Sequence, residues 1–499
     1  MSRASTGRQA SCLSGQTGFQ PVVSGGQPSR LSGKTGFQPV VSSNRIPFNI
    51  ASAIAKATCI IPRLFPVLAL LLLLAGMESA LGIERFPPPD FSGHAVPQVV
   101  VPNPQPRTTD WLDVTVLAAG LAAASWLSLK QRSRRGMVIL SLGSLAYFGF
   151  WRRGCVCAIG SIQNVALGIA DPTYAVPLAV ISLFTLPLVV ALVWGRGFCA
   201  GVCPHGAIQD LVLVKPIKVP GWLDECLRVL PWIHLALAVL LAATGTLFLI
   251  CKFDPFVGIF RLAGPRIILA SGVALLVLSM FVGRPYCRYL CPYGALLGVA
   301  ARFAKWRPTV TPNTCTQCRL CENTCPFGAL NPPMPAKQGQ ERVASGRQRI
   351  VMLAVMVPLA ALLFGWVGGK VGLAALPLHP DGKLASLVLL QERGGLIGTP
   401  PDELTAFRQH AADRLTVFSR ATTLEARFLT LGRWIGLFFG LVLALKLARI
   451  FFPAGSLDYE TDSGRCVSCT RCFSACPYEL LRRGVPVTIP QEGGYRGNS

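Results

Sequence analysis

Eight stretches of this 499-residue chain are apolar over enough residues to cross a hydrocarbon layer, which at about 30 Å asks for roughly 20 residues of helix. They fall at 64–83, 111–129, 137–151, 174–194, 229–250, 266–283, 349–369 and 428–452, the third being short for a span. Within a bilayer each segment must satisfy its own backbone N–H and C=O groups, so runs of this kind can only be helices. The expected fold class is an all-α integral membrane bundle of about eight transmembrane helices. Composition agrees, with 52% hydrophobic residues, 14% charged and a mean hydropathy of +0.49.

A net charge of +24 raises the question of nucleic acid, but the basic residues lie between the apolar runs and make no aromatic-interleaved basic surface. No nucleic-acid partner is expected, and membrane lipid is. Lys130, Arg132, Arg134 and Arg135 follow the second run, and Arg284, Arg288, Arg302, Lys305 and Arg307 follow the sixth. The positive-inside rule puts both links in the cytoplasm. With eight spans both termini join them, while the Pro-rich stretch 84–110 and the loop 370–427 lie outside. In that loop Pro400, Pro401 and Asp402 read as a helix start, and Leu404, Phe407, Ala411, Leu415 and Phe418 follow at helical spacing. Such a helix either packs on the bundle or docks a partner.

Residues 1–63 hold no Asp or Glu and repeat one segment, Leu13 to Ser24 recurring as Leu31 to Ser42. Rich in Gly, Ser, Pro and Gln, this basic N-terminus cannot bury a core and is expected to be disordered, with targeting as the alternative role.

Twelve of the 18 cysteines fall in tight local groups, a ligand pattern and not a disulfide framework. Cys315, Cys318, Cys321 and Cys325, then Pro326, spell C-x2-C-x2-C-x3-C-P; Cys466, Cys469, Cys472 and Cys476, then Pro477, spell it again. That run folds thiolates around a [4Fe–4S] cluster in bacterial ferredoxins, so two clusters are the expected cofactors, against a zinc site or structural cysteines. In two-cluster ferredoxins the fourth cysteine of each run serves the other cluster. Here that would group Cys315, Cys318 and Cys321 with Cys476, and Cys466, Cys469 and Cys472 with Cys325. Two predicted helices lie between the runs, an even number, so both can reach the same face.

A second motif occurs twice, 88 residues apart: Gly195-Arg-Gly-Phe-Cys199-Ala-Gly-Val-Cys203-Pro-His-Gly-Ala and Gly283-Arg-Pro-Tyr-Cys287-Arg-Tyr-Leu-Cys291-Pro-Tyr-Gly-Ala. Both copies follow a span that runs inward. Cys199, Cys203, Cys287 and Cys291 could bind an additional metal, act as redox dithiols, or be small residues at a tight helix end. A fainter third copy at Cys157, with Arg153 in place of its first cysteine and Cys155 adding a C-x-C, faces outward in this topology. Cys12, Cys59, Cys226 and Cys251 read as incidental. His234, the lone histidine inside a predicted span, reads as a hydrogen-bonded packing residue, and no C-x-x-C-H occurs, so haem is not expected. No G-x-G-x-x-G or phosphate loop is present, and no catalytic residue is assigned.

Together the paired ferredoxin runs, the two Gly-Arg-x-aromatic-Cys-x3-Cys-Pro-x-Gly-Ala elements, the segment Glu84-Arg-Phe-Pro-Pro-Pro-Asp-Phe and the ending Arg465-Cys-Val-Ser-Cys-Thr-Arg-Cys-Phe-Ser-Ala-Cys-Pro resemble the NosR/NapH-type membrane polyferredoxins, over roughly 84–480. The layout is most like the C-terminal membrane half of the flavoprotein that supports nitrous-oxide reductase. Residues 1–110 are too short and too low in complexity for a flavin domain, so flavin is not expected in this chain. The resemblance implies a small α+β two-cluster unit on the cytoplasmic side and a place in the bacterial inner membrane. It also implies electron transfer between a quinol or cytoplasmic donor and a partner redox enzyme, a periplasmic one in this group. A quinol dehydrogenase subunit is the enzyme class this leaves open. The rival function is a metallocentre (copper) assembly factor using the Cys-x3-Cys pairs. The expected domains are 1–63, the membrane domain 64–307, the first cluster segment 308–348, two helices with their outer loop over 349–452, and the second cluster segment and tail over 453–499.

Overall fold

The computed structural model describes residues 107–154, 157–310, 315, 317–333, 339–395, 401–409, 414–451 and 459–487. The N-terminal repeat, the first apolar run and Cys155 lie outside them. All described residues belong to one unit, Leu70–Ser499.

The chain is mostly helical. The first helix, α1 (Arg107–Trp126), widens into a π turn at Leu127–Gln131, and α2 (Arg134–Ser144) does the same at Leu145–Trp151. Then come α3 (Ala158–Ala170), α4 (Leu178–Trp194), a π turn at Phe198–Val202, α5 (Pro204–Leu211), α6 (Gly221–Leu227), α7 (Leu230–Ala243) and α8 (Leu249–Phe253). Next are α9 (Pro255–Arg261), α10 (Arg266–Ser279), α11 (Pro285–Tyr289), α12 (Pro292–Ala300) and α13 (Leu320–Thr324). Strand β1 (Leu330–Asn331) precedes α14 (Gly339–Ala375), α15 (Pro380–Glu392), α16 (Asp402–Gln409) and α17 (Arg414–Phe451). Strand β2 (Glu460–Thr461), α18 (Arg471–Ala475) and α19 (Pro477–Arg482) complete the chain.

Among the described residues, four segments are long and apolar enough to cross a membrane: Thr108–Gln131, Gly221–Ala243, Ile350–Leu378 and Arg414–Ala448. A fifth would be the pair α9 and α10, bent by 102°. Of the eight expected runs, 111–129, 229–250, 349–369 and 428–452 fall in these four segments and 266–283 in α10, while 137–151 and 174–194 form shorter helices and 64–83 lies outside the described residues. Glycines at 195 and 245 take positive φ where α4 and α7 stop, and α2 gives way to its π turn. The run at 174–194 yields a 17-residue helix, and α3, which no apolar run announced, is a 13-residue one.

The core forms because α1 turns Leu117, Leu121 and Ala124, one helical face, onto Phe198, Val202 and Ile159. The α14–α17 pair is a long antiparallel hairpin whose 37 and 38 residues reach about 55 Å at 1.5 Å per residue, well beyond a hydrocarbon core. Its seam is glycine: a Cβ on Gly368 would strike the Gly432 carbonyl oxygen, and one on Gly436 would strike that of Phe364. Close backbone approach through small residues is the usual means of pairing helices in lipid, where water drives nothing together. The outward face of α14 shows Ile350, Leu359, Leu362 and Trp366, all exposed, as lipid contact requires. The outer loop expected at 370–427 is largely helix, since α14 runs on to Ala375, α15 fills the middle and α17 starts at Arg414. The expected helix start at Asp402 is where α16 begins; residues 410–413 are not described.

Candidate iron–sulfur site

The two cysteine runs, about 150 positions apart, are joined by an antiparallel pair in which Leu330 opposes Thr461 and Asn331 opposes Glu460. The Asp462 N–H extends the ladder to the Ala329 carbonyl at 2.8 Å. This brings the runs side by side around two small cavities. One is lined by Cys315, Cys318, Cys321 and Cys476, with Val310, Tyr459 and Pro477. The other is lined by Cys325, Cys466, Cys469 and Cys472, with Phe327, Leu330 and Phe473. In each, three cysteines come from one run and the fourth from the other.

Both runs fold alike. Gln317 and Arg319 flank Cys318 with φ of 52° and 60°, and Ser468 and Thr470 flank Cys469 with 57° and 62°. These left-handed residues curl each run tightly enough to turn successive cysteines the same way. Burial raises the pKa of Cys466, Cys469, Cys472 and Cys321, and the nearby backbone N–H groups of Ser468, Arg471, Phe473 and Glu322 oppose it by a smaller amount. Burial pushes the Cys321 thiol up to about 11 and the Cys466 thiol to about 12, so without a positive partner these groups keep their protons. Iron supplies such a charge, and the N–H donors favour the thiolate it needs.

Among the described residues no group of three or more His, Cys, Asp or Glu side chains is placed to hold a single metal ion. One zinc would want its thiolates about 3.8 Å apart, from a Zn–S bond of about 2.3 Å. Four cysteines around a wider gap suit a cubane, which takes one thiolate on each of its irons.

The duplicated motif packs directly behind the second cavity. Cys199, Cys203 and Cys291 are buried, and Cys287 is partly so. Cys203 and Cys291 stand at the N-caps of α5 and α12, each with proline at the first helical position, where proline's missing N–H costs nothing. Each thiol but Cys203 has a nitrogen donor: Arg196 Nη2 lies 3.7 Å from Cys199 Sγ, Gln209 Nε2 3.3 Å from Cys287 Sγ, and the Gly294 N–H 3.3 Å from Cys291 Sγ. The copies exchange arginines. Arg284 of the second donates to the Cys199 carbonyl beside Gly206, and Arg196 of the first lies beside Gly294. Cys157 lines a small cavity together with Cys203, so the third copy does not face away from the other two; α3 carries it inward as part of the core.

His205, inside the first copy, is a site the sequence reading missed. It is fully buried, with Nε2 3.0 Å from Asp254, and Asp254 also accepts from Tyr286 at 3.1 Å and from the Phe256 N–H at 2.8 Å. The signal available was its place beside Cys203, but Asp254 sits 49 positions on with no motif to connect them. His234 donates its Nδ1–H to the Leu290 carbonyl, 2.8 Å away, a packing histidine as expected.

Helices long enough for a membrane, with two four-cysteine cavities beside them, define a class: membrane-associated iron–sulfur proteins. Known proteins give the family. A 4Fe-4S binding domain model matches residues 176–220 and 264–310, and so covers both Cys-x3-Cys-Pro pairs; a second 4Fe-4S binding domain model matches 307–330. Regulatory protein NosR of Pseudomonas aeruginosa is 28% identical over 221 residues, which are 41% of this chain and 30% of NosR. An uncharacterized protein of Methanocaldococcus jannaschii is 31% identical over 190 residues, 36% of this chain and 77% of that protein. Ferredoxin-type protein NapH of Escherichia coli is 28% identical over 202 residues, 37% of this chain and 65% of NapH. The chain therefore spans less than a third of the length of NosR. No solved structure matches. The chain belongs to the NosR/NapH-type membrane-associated 4Fe-4S proteins.

Proposed function

We propose that this chain is an integral-membrane electron carrier with two cross-ligated [4Fe–4S] clusters, one on Cys315, Cys318, Cys321 and Cys476, the other on Cys325, Cys466, Cys469 and Cys472. The observation that carries the reading is the lining of the two cavities, three thiols from one run and one from the other in each. A [4Fe–4S] cluster supplies a one-electron couple when bound. The chain's own part is to keep water from the thiolates with Val310, Phe327, Leu330 and Phe473, and to set backbone N–H groups near their sulfurs. Both act on potential, because burial disfavours the more negative reduced state and N–H groups near sulfur favour it.

The clusters lie in this reading on the cytoplasmic side of the inner membrane, take electrons from a quinol or a cytoplasmic donor and pass them to a partner redox enzyme. Purified, reduced protein should carry about eight Fe and matching sulfide per chain, with an EPR signature of two interacting centres. A clean zinc content with no iron would end the proposal.

A second reading gives the Cys-x3-Cys pairs work of their own, as dithiols or two-coordinate copper ligands in the maturation of a partner's metallocentre. It is favoured by their burial and by the nitrogen donors at Cys199, Cys287 and Cys291. Changing Cys199, Cys203, Cys287 and Cys291 to Ser should then abolish copper binding and partner maturation while leaving the iron content unchanged; intact maturation would refute it.

A further inference from the structure

A cavity of about 800 Å3 opens beside the cluster unit, bounded by the start of α6–α7, by α12, by the end of α17 and by the segment 460–467. Its size falls in the roughly 300–1,000 Å3 range of small-molecule sites. Eight arginine and lysine side chains line it against three carboxylates. Those carboxylates are taken: Glu460 faces Arg307 at 3.5 Å, Asp462 faces Arg465 at 3.2 Å, and Glu225 pairs with Arg465. Asp224, just behind the wall, holds Arg228 at 2.9 Å and Arg288 at 2.7 Å.

Two cations on the wall have no carboxylate within ion-pairing range among the described residues. Arg196, only 6% exposed, donates Nη1 to the Gly464 carbonyl at 2.9 Å, and its Nη2 reaches only the Cys199 thiol. Lys446 donates to the Arg228 carbonyl at 2.9 Å. A buried cation without a counter-charge is costly. Arg196 and Lys446 without a carboxylate, on a wall where eight basic side chains face three acidic ones already paired, describe a site missing its anion.

We infer that this cavity binds a phosphate-class anion. Guanidinium forks match phosphate oxygens in pairs, and a multiply charged anion answers the surplus that a single carboxylate would not. Two sources share that chemistry. Trp232 and Lys446 stand on membrane-crossing helices, so a phospholipid headgroup can reach the cavity from the membrane surface; a soluble phosphate compound can enter from the aqueous side. The inference rests on none of the cysteine assignments.

The test uses the full chain, purified with its clusters in detergent and stripped of lipid. Pyrophosphate is titrated by calorimetry, and phosphatidylcholine nanodiscs with and without cardiolipin are compared by thermal unfolding and native mass spectrometry. Saturable pyrophosphate binding, weakened about tenfold or more in Arg196→Gln and in Lys446→Gln, is the expected result. Cardiolipin that co-purifies, raises the Tm and is displaced by pyrophosphate would assign the site to lipid; pyrophosphate binding with no cardiolipin effect would assign it to a soluble phosphate. Lys446→Gln sits on a different element from the cysteine motifs and keeps the test valid if Arg196→Gln folds poorly. Absence of any effect of either probe, or equal binding by Lys446→Gln and the parent, overturns the inference and leaves the arginines as counter-charges to the neighbouring thiolates.

Discussion

Asp210 and Arg471 meet at 3.0 Å although 261 positions separate them in sequence. Asp210 belongs to the helix that follows the first Cys-x3-Cys-Pro pair, and Arg471 opens the helix inside the second ferredoxin run, so this contact fastens one motif to the other. Arg134 and Arg284 share the same carboxylate, which is only 5% exposed. Burial alone would push its pKa up, but the three arginines, Arg284 foremost, outweigh that and hold it well below the usual carboxylate range. A folded pKa below the unfolded value means stability that is present above about pH 4 and is lost only as pH falls towards the depressed value. Asp210→Asn should therefore unfold earlier at pH 7, by about 3–5 kcal/mol for a broken buried pair. Its stability should also fall less steeply in acid than the parent's, a comparison of chemical unfolding at pH 7 and pH 3 that reads both effects.

Cross-lining of the cavities makes a prediction about pairs of substitutions. If Cys476 belongs with Cys315, the double variant Cys315→Ser with Cys476→Ser damages a single cluster and should retain about four Fe per chain. Cys315→Ser with Cys325→Ser should damage both and lose nearly all of it. Ligation within each run reverses the two outcomes, so iron analysis of these two proteins decides the arrangement.

That three cysteines of one run and one of the other should come together was legible, because a local spacing marks the runs and one chemical rule links them; the two cavity linings follow that grouping. The duplicated motif was legible as a repeat, yet not the exchange of Arg196 and Arg284 between its copies, since which motif an arginine serves depends on packing. His205 was passed over for the same reason: its partner Asp254 is remote in sequence and looks like an ordinary helix cap. Span number was less legible: four or five segments among the described residues are long enough to cross a membrane. Apolar runs at 137–151 and 174–194 signal burial, but whether a buried helix crosses a bilayer or stops inside the protein depends on where π turns and glycines interrupt it. Net charge, read as topology, also hid the arginine-lined cavity, because the residues that flank spans and those that line it are in part the same, Arg284, Arg288, Arg302 and Arg307 among them.

The buried Asp254 collects bonds from His205, Tyr286, Phe256 and Val257 at 2.8 to 3.3 Å. Asp254→Ala strands several of these donors at once and should cost about 3–5 kcal/mol. Tyr286→Phe removes one bond and should cost about 1 kcal/mol. Thermal unfolding of the two proteins at equal iron content tests the ranking; a Tyr286→Phe loss as large as that of Asp254→Ala would mean that the ring, and not the carboxylate, holds this centre together.

The glycine seam of the α14–α17 hairpin gives a prediction that needs no cofactor. Gly436→Leu places a side chain where the Phe364 carbonyl already lies, and Gly368→Leu does the same against Gly432. Neither clash can be relieved by turning a side chain, because the obstacle is backbone; the helices must separate along their length. Both variants should unfold at lower denaturant and expose the hairpin to protease, and because α14 and α17 carry the chain from the first ferredoxin run to the second, they should lose iron faster as well. Gly143→Ala is the control, since nothing lies within 4 Å of its would-be Cβ. It sits in a helix, where alanine gains up to about 1 kcal/mol over glycine, so it should match or exceed the parent. Equal behaviour of Gly436→Leu and Gly143→Ala would show that α14 and α17 are not packed along this seam.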